Sequence, residues 1–286
     1  MRPASFDYLA ATSVEEVCAA LAQDPAGTRV LAGGQSLMPR LVRRLERPRR
    51  LLDVNGIAEL GRLRADAGGL TFGAAVTQRS GELAAELRGF GVLSQALPRV
   101  GKVTTRNRGT VCGSIAHANP AAELGVCLLA MGGELRAVSA RGSRTLAPQE
   151  FFLAPFRTAL RDDELLSEVT FARPGAATIG HFDEVTLRGA GDTPLASVAV
   201  VCETAAGAVA RTRIAVGSAG QAPSLASDAL AARLRGPLGD AEIDAAAAEL
   251  GETLELAGDV HGSADHRRRL VVALVARLLR RVREQL

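Results

Sequence analysis

The sequence predicts two domains that mix helices and strands, the first of them opening as an α/β unit. Three observations carry this reading. The chain has 286 residues, room for two ordinary domains at roughly 150 residues each. Its opening stretch alternates strand and helix around a glycine loop. The texture then changes at Arg173-Pro174-Gly175, which divides the chain into domains 1–174 and 175–286.

The elements follow in order. Ser13-Val14-Glu15-Glu16 is a capping box that starts a helix, with Val14, Val17 and Leu21 turned inward. Ala26-Gly27 breaks it, and Thr28 to Ala32 is expected as a short buried strand. Gly33-Gly34-Gln35-Ser36 leads into a second helix, whose early Pro39 suits a first turn. Leu51 to Val54 is the next strand, and Gly69 to Thr77 reads as another. Helices are expected at Glu82–Leu87 and Val92–Val100, then an ordered loop from Gly101 to Asn119, then an apolar helix from Pro120 to Met131. Gly133–Val138 and Leu165–Phe171 read as strands around a hairpin and a short Phe151-Phe152 element. In the second domain Leu195–Glu203 and Ala208–Val216 alternate as strands joined at Ala206-Gly207. Two alanine-rich helices follow, and a last helix runs from about Ser263 to Leu286 with Leu270, Leu274 and Leu278 on one face.

Composition narrows the function. Hydrophobic residues at 47% and charged residues at 23% describe a chain that buries a core. Lys+Arg of 34 against Asp+Glu of 31 leaves a net charge of +3, and Lys102 is the sole lysine. Aromatic residues make up 3%, with no Trp, so a base-stacking nucleic-acid platform is excluded. The N-terminus lacks the apolar run of a signal peptide, and no stretch approaches the roughly 20 apolar residues of a membrane span, so a cytoplasmic location is expected. Cys18, Cys112, Cys127 and Cys202 are scattered without a C-x-x-C pair, which argues against a disulfide framework, a zinc site or an iron–sulfur cluster held by this chain. The histidines show no metal-ligand spacing, and no metal is expected. The arginine runs at Arg43-Arg44, Arg47, Arg49-Arg50 and Arg267 to Arg269 read first as solvated, salt-bridged faces.

Two loops can carry chemistry. In Leu31-Ala32-Gly33-Gly34-Gln35-Ser36-Leu37 a strand ends and the chain turns into a helix N-terminus. Glycines there let the backbone approach an anion, although a tight strand-to-helix turn needs the same residues. The second loop runs from Arg106-Asn107-Arg108-Gly109-Thr110-Val111-Cys112-Gly113-Ser114 through His117 and Pro120 to Glu123, with small hydroxyls and a carboxylate at a helix start. Neither a Rossmann fingerprint nor a P-loop occurs.

These two loops at this spacing, with Arg44-Leu45, Pro48 and Leu52-Asp53-Val54, then Phe151-Phe152, Asp163-Glu164-Leu165-Leu166 and Asp259-Val260-His261-Gly262-Ser263-Ala264, resemble the FAD-binding middle subunit of molybdenum hydroxylases. That is the family of carbon monoxide dehydrogenase, xanthine dehydrogenase and aldehyde oxidoreductase, and the resemblance covers nearly the whole chain. It implies an α+β fold: a two-part FAD-binding domain of the vanillyl-alcohol oxidase (PCMH) type, followed by a small α+β C-terminal domain of the CO dehydrogenase flavoprotein type. It implies FAD as cofactor, its pyrophosphate against Ala32, Gly33, Gly34, Gln35 and Ser36 with Leu31 and Leu37 flanking. Thr110, Val111, Cys112, Gly113 and Ser114 would line the other side, with His117 in a phosphate or capping contact. Glu123 stands for an Asp that meets the adenosine part; Val100 and Leu165 or Leu166 would lie by the isoalloxazine. It implies no catalytic acid–base set in this chain. The implied partners are a 2Fe-2S small subunit and a molybdopterin large subunit, as a heterotrimer or its dimer, with NAD, quinone or oxygen as electron acceptor.

The chain departs from the family pattern at two telling places. Cys112 replaces a glycine, either as a flavin neighbour or as small filler, and Glu184 occupies the place of a lysine that meets the flavin. The reversed charge is expected to disfavour an anionic reduced flavin. These departures also fit a stand-alone or degenerate flavoprotein of the same fold, acting directly on a small molecule or only binding partners.

Overall fold

The computed structural model describes residues 2–189, 191–218 and 222–286. Its first layer is built by the opening stretch. β1 (Asp7–Ala10), α1 (Val14–Gln23), β2 (Thr28–Leu31), α2 (Leu37–Val42) and β3 (Arg50–Asp53) form a three-stranded parallel sheet in the order β1-β3-β2. Ser13 caps α1 by accepting from the Glu16 N–H at 3.2 Å, while Glu16 reaches back to the N–H of Thr12 at 2.8 Å. Val17 and Leu21 are buried and Val14 partly so. The expected buried strand at Thr28 is shorter and more open, for Thr28 alone is buried in β2.

The second layer is antiparallel. β4 (Leu63–Ala65) and β5 (Gly69–Gly73) are followed by α3 (Gln78–Leu83), α4 (Gly91–Ala96), α5 (Val103–Arg106), α6 (Val111–His117) and α7 (Glu123–Met131). The chain then forms β6 (Gly133–Ser139), β7 (Gly142–Leu146), α8 (Pro148–Phe151), the small hairpin β8 (Phe152–Ala154) and β9 (Arg157–Thr158), and β10 (Leu165–Ala172). The sheet order is β4-β5-β10-β6-β7. Helices between β5 and β6 pack over it, with Phe72, Phe90, Phe151 and Phe171 fully buried in one core.

Several boundaries differ from the sequence expectation. The helix expected at Glu82 begins at Gln78, because Thr77 caps it by accepting from the Ser80 N–H at 3.0 Å. The helix from Val92 stops at Ala96 and tightens to a 3₁₀ turn at Leu97–Arg99, where Pro98 removes a donor. The loop expected from Gly101 to Asn119 is largely helical, as α5 and α6. Thr110 starts α6, its hydroxyl accepting from the Gly113 N–H at 3.0 Å, and Ala118 ends it in the left-handed region at φ 47°. The apolar helix starts at Glu123, since Pro120 and Ala121 lie in the turn closed by the Ala122 N–H on the Asn119 carbonyl.

The last part holds β11 (Thr178–Thr186), β12 (Pro194–Ala205), β13 (Ala208–Gly217) and β14 (Ser224–Leu225), an antiparallel sheet in that order. The sequence pattern marks no strand at β11, yet its nine residues pair with β12 along their length. α9 (Asp228–Arg233), α10 (Asp240–Thr253) and α11 (Ala264–Arg283) cover one face. Leu274 and Leu278 of α11 are buried there, with Leu270 partly so. The opposite face meets α7: a Cβ added to Gly217 would lie 2.4 Å from the Val126 side chain.

Candidate functional site

A cavity of about 540 Å³ opens between the parallel layer, the helices α5 to α7 and the loop ahead of β12. One wall is the β2–α2 loop. Gly34 there has φ 70°, a conformation that suits glycine, and among the described residues no acceptor in the chain meets the N–H groups of Gly33, Gly34, Gln35 or Ser36. The Ser36 hydroxyl makes no capping bond to α2 either. Such a run of free backbone donors is an anion-binding concavity. Asn55 braces the loop from behind, its amide donating to the Ala32 carbonyl at 3.0 Å and to Asp53 Oδ1 at 2.7 Å.

The opposite wall is the start of α6. The two walls touch through backbone: a Cβ on Gly33 would stand 2.3 Å from the Arg108 carbonyl oxygen and 2.6 Å from Gly109 Cα. A Cβ on Gly113 would stand 2.7 Å from the Thr110 hydroxyl. The cradle therefore exists because side chains are missing from it.

Fourteen of the expected site residues line this cavity: Ala32, Gly33, Gly34, Gln35, Ser36, Leu37, Val100, Thr110, Cys112, Gly113, Ser114, His117, Glu123 and Leu166. Leu31, Val111 and Glu184 do not. Leu31 is the last residue of β2, and Val111 is fully buried in the core at the base of α6. Glu184 sits on β11 beside Ser197 of β12, on the face packed against α7. The cavity also takes in Gln78, Gly101, Thr105 and, from the last part of the chain, Gly191 to Pro194. No motif marks Gln78, because a polar residue at a helix start carries no distinctive signal.

An arginine clamp fixes the segment that presents Val100. Arg106, 8% exposed, donates to the carbonyls of Val100 at 3.1 Å and Gly101 at 2.9 Å, and its Nε pairs with Glu82 at 2.8 Å. Burial pushes the Glu82 carboxyl up, but Arg106 and Arg79 outweigh it and hold the group below the ordinary carboxylate range. Replacing Arg106 by Met leaves Glu82 and two carbonyls without these donors. A loss of about 3–5 kcal/mol in urea unfolding is expected, and Arg106→Lys should recover part of it.

The electrostatics of the cavity are mixed. His117 is held below its ordinary pKa by burial and by Arg40, and its ring tilts against Phe156 at 5.2 Å. The Cys112 thiol donates to the Phe72 carbonyl at 3.2 Å, and burial raises it far above the thiolate range. It therefore acts as filler in the tight turn. Glu123 is 5% exposed; burial and repulsion from Glu184 raise its carboxyl to about 8. Glu184 is raised to about 7 by burial, with Arg99 opposing and Asp183 reinforcing, and its Oε2 is buried without a partner. Asp183, on the other face of the strand, instead holds Arg99 at 2.7 Å and Arg277 at 2.8 Å. The reversed charge expected at Glu184 is thus partly neutralised by protonation, away from the cavity lining.

Residues 4–174 match the family model described as the FAD binding domain in molybdopterin dehydrogenase, and residues 181–282 match the CO dehydrogenase flavoprotein C-terminal domain. The chain belongs to the FAD-binding medium subunits of the molybdenum hydroxylase family. This medium subunit is 32% identical over 281 residues to the nicotine 6-hydroxylase medium subunit of Paenarthrobacter nicotinovorans, covering 98% of each chain. It is 33% identical to caffeine dehydrogenase subunit beta of a Pseudomonas species, covering 100% of this chain and 97% of that one. Among solved structures it superposes on a chain of quinoline 2-oxidoreductase from Pseudomonas putida 86 with a TM-score of 0.93 at 32% identity, covering 100% of this chain and 99% of that one.

The α+β fold and the cofactor are those expected from the motifs: this is an FAD-binding oxidoreductase subunit. The cavity fits that cofactor on its own evidence. It offers free backbone donors for a pyrophosphate, a cradle that a single Cβ would fill, and apolar residues at Val100, Leu165 and Leu166. Two backbone walls can hold a diphosphate without a lysine, and Lys102 is outside the lining.

Proposed function

We propose that this medium subunit is the electron-transfer subunit of a three-component molybdenum hydroxylase working in the cytoplasm. It receives electrons from 2Fe-2S clusters of a small partner subunit, which draws them from a molybdopterin large subunit, and delivers them to NAD, quinone or oxygen. The observation that carries this reading is the cavity between the two glycine walls, with free backbone donors on one side and apolar residues at Val100, Leu165 and Leu166. Bound FAD supplies the redox chemistry, exchanging electrons singly or in pairs. The chain's own residues bind, orient and shield it.

In this assignment residues 1–174 form the cofactor domain and 175–286 the C-terminal domain, which contributes Gly191 to Pro194 to the cavity. The free N–H groups from Gly33 to Ser36 and the α6 start at Thr110, Gly113 and Ser114 take the pyrophosphate. Glu123 meets the adenosine part, and Val100 and Leu166 flank the isoalloxazine. The four cysteines are buried, and burial raises the thiol pKa of each. In this reading the clusters belong to the partner.

The test is electron transfer between purified components. The FAD-loaded chain, mixed under nitrogen with its 2Fe-2S partner reduced by dithionite and freed of excess reductant, should lose the visible absorbance of its oxidised flavin. Direct reduction by a small organic substrate, with no response to the reduced partner, would overturn the assignment in favour of a stand-alone enzyme.

A further inference from the structure

Gln78 stands at the crossing of the two glycine walls with half of its amide unused. It is the first residue of α3 and 4% exposed. Its backbone N–H donates to the Gly109 carbonyl at 2.8 Å, and the neighbouring Thr77 bridges Thr110, so the residue is pinned to the second wall. The side-chain Nε2 reaches the Thr110 carbonyl at 3.5 Å, the outer limit of a hydrogen bond, while Oε1 is buried with no donor.

The surroundings define what is missing. A Cβ placed on Gly109 would be 3.0 Å from Gln78 Oε1, 3.0 Å from the Thr105 carbonyl oxygen and 3.4 Å from Gln35 Cγ. The Thr105 carbonyl already accepts from the N–H groups of Arg108 and Gly109, so Gln78 Oε1 is the acceptor left without a donor at this corner. A methionine of similar size would avoid the unpaired oxygen, so an amide here wants a donor that the chain does not provide. Pyrophosphate oxygens and flavin ring carbonyls are acceptors and cannot serve, and the ring N–H and the adenine amino group lie at the two ends of FAD, away from its pyrophosphate. The part of FAD that adjoins the pyrophosphate on the flavin side is a chain of hydroxyl groups, each able to donate.

We propose that Gln78 is a cofactor-positioning residue whose Oε1 accepts a hydrogen bond from a hydroxyl of the FAD sugar-alcohol chain, at the point where the two glycine walls meet. The proposal rests on the cavity being the FAD site.

The experiment titrates the full-length apo chain with FAD, with ADP (which has the diphosphate and ribose but no sugar-alcohol chain) and with an FAD analogue whose chain lacks hydroxyls. Gln78→Met should weaken FAD about tenfold, about 1.4 kcal/mol, leave ADP unchanged, and bind FAD and the analogue equally. Gln78→Glu, which keeps an acceptor, should bind FAD within about threefold of wild type. The wild-type chain should itself prefer FAD over the analogue about tenfold, a result that needs no variant to fold. The proposal is overturned if wild type binds FAD and the analogue alike, if Gln78→Met leaves FAD affinity intact, or if it weakens ADP equally. Absence of FAD binding by the folded wild-type chain would instead remove the reading of the cavity.

Discussion

Gly33→Ala is expected to weaken FAD binding by the subunit. The added methyl would stand 2.3 Å from the Arg108 carbonyl oxygen and 2.6 Å from Gly109 Cα, and both obstacles are backbone. Neither can rotate aside, so the β2–α2 loop must move away from the α6 wall. Overpacking of this kind costs about 1–3 kcal/mol. If that is taken from the bound state it corresponds to roughly a 5- to 150-fold weaker Kd. Flavin content after gel filtration and an FAD titration would measure it. Gly61→Ala, where an added Cβ meets nothing within 4 Å, is the matched control and should keep full flavin content.

The second large effect concerns pH. Glu123 and Glu184 have carboxyls raised to about 8 and about 7, so the folded chain holds protons that the unfolded chain releases. Below about pH 4 both states are protonated and the pair contributes no difference. As pH rises through the unfolded value toward 7–8, the unfolded state loses protons first and stability falls. Above the folded values the loss is complete. For Glu184 alone, a rise from 4.5 to about 7 corresponds to about 3 kcal/mol by linkage. Glu184→Gln should therefore flatten the decline between pH 5 and 8 and make the apo chain more stable than wild type at pH 8, by about 1–3 kcal/mol. Urea unfolding at a series of pH values reads this directly. Equal slopes for both proteins would show that the carboxyl ionises freely in the folded state.

The sequence was legible where local chemistry decides structure. A strand running into Gly33-Gly34 must turn, and the turn is where one cavity wall stands. Thr110 marks the other wall, yet the helix it starts has the sequence pattern of a loop. Cys112, Gly113, Ser114 and Ala116 are small and show no apolar period, because α6 has a buried core side and a cavity side rather than a solvent face. Gln78 and Arg106 take their roles from contacts across the fold, and spacing along the chain does not encode those. The pairing of Glu123 with Glu184 likewise depends on β11 lying across α7, which brings residues 61 positions apart into electrostatic contact.

On this reading the cavity between the two glycine walls holds one FAD. Equilibrium titration of the folded apo chain with FAD, followed by flavin fluorescence, tests it most directly. Saturable quenching at one FAD per chain is expected, competed by ADP and weakened at least about fivefold in Gly33→Ala. A folded chain that leaves the fluorescence unchanged, or a Gly33→Ala variant that binds FAD as tightly as wild type, would contradict it.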